Sequence, residues 1–168
     1  MALAIPGSNQ VITHTYVRGG LYDTLTVNNV KFALFHKSLT STEDCRNVEI
    51  TTKDCNCIFL NSIEAEGDIT ITAVNVLSLG TFSTKQGKTQ IEAENFYGIG
   101  TLIQCDVFSL LTTQNALTLG LHGNVQTLNI KAGASALVHA VWMLGFRKFS
   151  LKLKPCFPKE FKNPIVCN

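Results

Sequence analysis

A chain of 168 residues, 45% apolar and 15% charged, is long enough for one domain with a buried core. Its 14 Lys and Arg against 12 Asp and Glu leave a formal net charge of +2 with the cations scattered. That distribution argues against nucleic acid as a partner, because phosphate binding needs a basic stripe.

In chain order, Met1 to Gln10 carries no positive leader and no apolar run of signal-peptide length before Pro6, so classical secretion is not indicated. Residues 1–10 are expected to cover one end of the domain. From residue 11 an apolar residue opens a repeat at Val11, Val30, Ile50, Ile71, Ile91, Leu111, Ile130 and Leu151, in steps of 19, 20, 21, 20, 20, 19 and 21. A fixed period of this length is the mark of a stacked solenoid.

Inside each repeat the apolar residues alternate at period two: Val48, Ile50, Thr52, then Ile69, Ile71, Ala73, then Thr89, Ile91, Ala93, then Leu128, Ile130, Ala132. That is strand periodicity, rich in β-branched residues, and no coil shows helical spacing. A second alternating pair follows: Ile58 and Leu60, Leu77 and Leu79, Tyr97 and Ile99, Leu117 and Leu119. Between and after these pairs stand two columns twenty residues apart, Asn75, Asn95, Asn115 and Gly80, Gly100, Gly120. Asn and Gly both accept left-handed backbone angles, so each column marks a corner. Stacked Asn side chains can bond to one another along the rod, and a structural ladder is favoured over a ligand site.

These features predict an all-β fold, a single-stranded parallel β-helix of about seven to eight coils over residues 11–153, with terminal caps. At about 4.8 Å per coil the rod would be about 35 Å long. The pattern Ile-x-Ala-x-Asn-x-Leu-x-Leu-Gly from Ile71 to Gly80 resembles the coils of right-handed parallel β-helices, particularly the filamentous-haemagglutinin type of bacterial repeat. The small size and missing leader resemble the bactofilin polymers. The resemblance implies a bacterial self-assembling scaffold and brings no catalytic residues with it.

Ala134 to Phe146 is the most apolar stretch, but thirteen residues including His139 and Gly145 are too few to cross a bilayer, so no membrane span is expected. Pro155, Pro158 and Pro164 cannot continue a ladder, and residues 154–168, with Phe157 and Phe161, are expected to form the second cap. The six cysteines read as reduced thiols of a cytoplasmic protein. Delivery into a host cell, or non-classical export with a Cys156 to Cys167 pair, is the alternative. Cys55 and Cys57 lack a second pair at zinc spacing, so neither metal nor cofactor is expected.

Two surfaces are candidates for function. Glu43 and Asp44 in one coil fall near Glu64 and Glu66 in the next, and paired carboxylates perform acid and base steps in glycoside hydrolysis. A solvated acidic edge is the plainer reading. If Leu77, Tyr97 and Leu117 point inward, then Phe59, Val76, Phe96, Ala116, Ala136 and Val138, with Trp142 nearby, form an outer apolar strip of the kind that marks protein contacts. The opposite facing is open, since a slip of one residue exchanges the two faces. The expected function is a non-enzymatic structural module that forms a homo-oligomer or binds a protein partner. The alternative is a carbohydrate-active enzyme working from the acidic edge.

Overall fold

The computed structural model describes residues 10–17, 20–27, 30–41, 46–52 and 54–153, with side chains from residue 31 onward. Residues 1–9 of the cap expected at 1–10, and the cap expected at 154–168, lie outside the described residues, as do Glu43 and Asp44, while Gln10 opens a strand. The fold is all-β, with no helix among the described residues, and winds as a parallel solenoid of about six turns.

The strands are β1 (Gln10–Val17), β2 (Gly20–Val27), β3 (Val30–Phe35), β4 (Leu39–Thr40), β5 (Val48–Thr51), β6 (Cys55–Phe59) and β7 (Ile63–Ala65). There follow β8 (Ile69–Thr72), β9 (Asn75–Ser78), β10 (Thr81–Thr84), β11 (Lys88–Ile99), β12 (Leu102–Ala132), β13 (Ser135–Leu144) and β14 (Lys148–Leu153). From β3 onward each coil contributes one strand to each of three sides. Side A stacks β5, β8, residues 88–93, residues 107–112 and 127–132 of β12, and β14. Side B stacks β3, β6, β9, residues 95–99, 115–119 and 135–139. Side C stacks β4, β7, β10 and then later passages of β12 and β13.

The start of the chain departs from the expected coil at residue 11. β1 pairs antiparallel with β2, and β2 antiparallel with β3. Only two residues separate each strand from the next, a hairpin length, whereas a parallel neighbour requires a long crossover. The rod is therefore nearer 29 Å at about 4.8 Å per turn. A second adjustment concerns the column on side A: Leu110, not Leu111, stands over Ile91. A register shift between Ala93 and Asn95 restores the twenty-residue spacing, so that Asn95 faces Asn115.

Strand alternation turns one residue in two toward the axis. Ile50, Ile71, Ile91 and Leu110 fill the inner face of side A, and Leu39, Ile63, Phe82 and Ile103 that of side C. A chain of aromatic rings links the coils through the middle. Phe35 stacks on Phe59 at 4.6 Å, Phe59 meets Phe82 edge-on at 6.0 Å, and Phe82 lies 6.3 Å from Phe108. Each such ring stabilises the fold by about 1.5–3 kcal/mol through burial.

The corner between sides A and B is closed by the Asn ladder. Asn75 donates to Asn56 Oδ1 at 2.6 Å, Asn95 to Asn75 at 2.8 Å, and Asn115 to Asn95 at 2.8 Å. The ladder runs further than the sequence column, from the Lys31 carbonyl at one end to the Ser135 hydroxyl at the other. The glycines at the corner between sides B and C are there for two reasons. Gly100 and Gly120 take φ of 62° and 73°, left-handed angles, while a Cβ on Gly80 would sit 2.1 Å from the Asn61 carbonyl oxygen.

Candidate interaction face

Side B carries the apolar strip, but with the facing opposite to the one first considered. Phe59, Val76, Phe96 and Ala116 are buried in the core, and Ala136 and Val138 are partly buried against it. They cannot form an outer contact surface. Strands of side B are apolar on both faces, so alternation alone did not show which face points in. The inner positions hold the side chains that fit over the Phe chain, and Tyr97 is turned out, its hydroxyl in reach of water. Trp142 is exposed as expected, on the last coil of side C beside His122 with ring centres 5.4 Å apart.

The residues that do face outward on side B form two columns. One runs Leu34, Ile58, Leu77, Tyr97, Leu117, Leu137 in continuous register. The second runs Leu60, Leu79, Ile99, Leu119, with His36 before it and His139 after it. Exposures of 41% at Leu60, 45% at Leu79, 50% at Ile99, 40% at Leu119 and 38% at Tyr97 are high for large apolar side chains. Stacking alone produces this surface. Because every coil places its strand at the same height-to-height offset, one apolar residue per coil becomes a continuous ridge. Along its edge, Phe32, Ile58, Leu77 and Tyr97 line a shallow depression with the Asn ladder as its polar wall.

Before the last coil, where side C exposes Val141, Trp142 and Leu144, the other two sides are largely polar where side B is not. Outward positions on side A read Glu49, Thr70, Gln90, Ser109, Asn129 and Ser150. Those on side C include Glu64, Ser83, Gln104 and Asn124. The carboxylates of the acidic edge that lie among the described residues are engaged with neighbours. Glu64 accepts a hydrogen bond from the Ser62 hydroxyl at 2.9 Å, and Glu66 forms an ion pair with Lys85 of the next coil. Asp68 accepts from the Lys88 amide at 2.9 Å and so serves its turn.

The cysteines fall into two environments. Cys57 and Cys105 are buried, and burial pushes each thiol up to about 11, with the hydrogen bond between Cys57 and the Thr52 hydroxyl opposing only part of the rise there. Cys55 is half-buried beside Asp54, and its thiol is also raised, mainly by desolvation. Asp54 pairs with Lys31; their hydrogen bond holds the carboxyl below its usual range and the ammonium above. Among the described residues no group of His, Cys, Asp and Glu could hold a metal ion, and no helix is long and apolar enough to cross a membrane. No family model, curated protein or solved structure matches the chain.

Proposed function

We infer that the chain is a non-enzymatic interaction scaffold that works by association through side B. The observation that carries this reading is the contrast between sides. Two outward apolar columns run the length of one flat side, while sides A and C, before the last coil, present mainly amides, hydroxyls and charges at the equivalent positions. A contiguous apolar patch of several hundred Å² on a folded chain marks a contact surface. A rigid ladder also suits such a role, because its outward side chains are already ordered and lose little entropy on docking. The free thiols of Cys55, Cys57 and Cys105 fit a reducing compartment as the place of work.

The test compares wild-type chain with Ile99→Asp by native size in an extract of the cells that produce the protein. Wild type is expected in a species larger than the monomer and the variant at monomer size. Both chains at monomer size would remove the reading.

A further inference from the structure

We propose that the occupant of side B is a second copy of this chain, packed face to face with the order of its coils reversed. The inference rests on the association reading above and names its partner.

The first support is pitch. Outward side chains on side B recur once per coil, about every 4.8 Å, and ridges of that spacing interdigitate fully only with ridges of the same spacing. A second copy has that spacing by construction, and sheets pack face to face at about 10 Å with their side chains interleaved.

The second support is the order of residues along the columns. The column of Leu60, Leu79, Ile99 and Leu119 has His36 at one end and His139 at the other. Rotating one copy by a half turn about an axis along the strands, between β9 and residues 95–99, sets Leu79 against Ile99 of the other copy and Leu60 against Leu119. In the neighbouring column Leu77 falls against Tyr97, Ile58 against Leu117 and Leu34 against Leu137. Every apolar position meets an apolar position. The alternative half turn, about the solenoid axis, exchanges the columns and presses Leu137 on His139, so that an imidazole is buried against a leucine at a cost. Tyr97 lies next to the centre of the reversed arrangement, where amphipathic aromatic residues contribute most.

The third support is area. The outward columns span about 28 Å by 15 Å, on the order of 400 Å² of projected surface per copy, and standing side chains raise the accessible area above that projection. Two copies together give on the order of 800 Å² by projection, below the size of tight specific complexes, which fits a weak, reversible dimer.

The experiment is sedimentation equilibrium on the purified full chain, wild type and two outward variants, with melting curves run in parallel. Wild type is expected to dimerise with concentration. Ile99→Asp and Leu79→Lys should each keep the wild-type melting behaviour of the monomer and weaken the dimer by at least about 100-fold, since each would bury an unpaired charge. An equimolar mixture of the two variants should dimerise again, because residue 99 of one copy faces residue 79 of the other. A dimer undiminished in Ile99→Asp places the contact elsewhere and overturns the proposal, and a mixture that stays monomeric overturns the reversed order. Wild type that is monomeric when purified but larger in the extract overturns the second copy while leaving the association reading intact.

Discussion

At residue scale, Asn95 serves both neighbours in its ladder at once. It donates to Asn75 Oδ1 at 2.8 Å and its own Oδ1 accepts from the Asn115 side chain at 2.8 Å and the Asn115 amide at 3.3 Å. Asn95→Ala strands three groups in a half-buried corner, and the expected loss is about 1–3 kcal/mol. Ser135→Ala removes a single bond at the exposed end of the same ladder and should lose less than about 1 kcal/mol. Urea midpoints of the two variants should differ; equal midpoints would mean that the interior bonds of the ladder contribute no more than the one at its exposed end. The buried thiols make a second residue-scale prediction. Cys57 and Cys105 are raised from 9.0 to about 11 in the folded chain, so the unfolded chain releases its thiol protons first as pH rises. Their contribution is complete below about pH 9 and fades between pH 9 and 11, by on the order of 2 kcal/mol for each thiol. The fall in urea midpoint from pH 7.5 to 10.5 should be shallower in a Cys57→Ala, Cys105→Ala double variant than in wild type. A wild-type slope retained by the double variant would assign the alkaline loss to other groups.

At the scale of the element, neighbouring residues of one strand have opposite fates. Phe96 is fully buried and Tyr97 half-exposed, so Phe96→Ala should lose about 3–5 kcal/mol and Tyr97→Ser less than about 1 kcal/mol by denaturant unfolding. Reversed magnitudes would restore the facing in which Phe96 is outside. The strand shows why the repeat was legible and its facing was not. Corners demand rare residue types, so Asn75, Asn95, Asn115 and Gly100, Gly120 stand out at period twenty. Faces are told apart by polarity, and side B offers almost none: Val76 and Leu77, Phe96 and Tyr97, Ala116 and Leu117 are apolar in both columns. The single polar mark was the Tyr97 hydroxyl. The apolar strip expected from the sequence accordingly lies on side B with its two faces exchanged. The β1 to β3 region hid its direction for a related reason. Thr13, Thr15, Thr24 and Thr26 alternate alike in parallel and antiparallel strands, and only the two-residue separations distinguish a meander from a coil. Pairings such as Lys85 with Glu66 arise from the stacking of one coil on the next and were beyond a reading of charge along the chain.

At the scale of the whole molecule, each coil touches only the coil before and after it, so stability is close to a sum of coil and coil-to-coil contributions. Interior coils have two such interfaces and terminal coils one. Ile91 and Leu151 show the difference within one inward column of side A. Ile91 lies between Ile71 and Leu110 and is fully buried, whereas Leu151 stands over Ile130 on the last strand and is exposed. Phe149 and Leu153, its inward neighbours on β14, are exposed as well. The other end differs, because there β1 and β2 extend side B by two antiparallel strands beyond the first coil. Opening should therefore begin at β14 and spread toward the middle, as local units of low stability open ahead of global unfolding. Ile91→Ala should lose about 2–5 kcal/mol, and Leu151→Ala about 1 kcal/mol or less, although both delete the same kind of side chain from the same column. Native-state hydrogen exchange supplies the independent check. Amides of β14 should exchange through openings well below the global free energy, and those of residues 88–99 near it. Uniform protection from β8 to β14, together with equal losses for the two substitutions, would mean that the rod unfolds as one unit, with no weak end from which its coils separate.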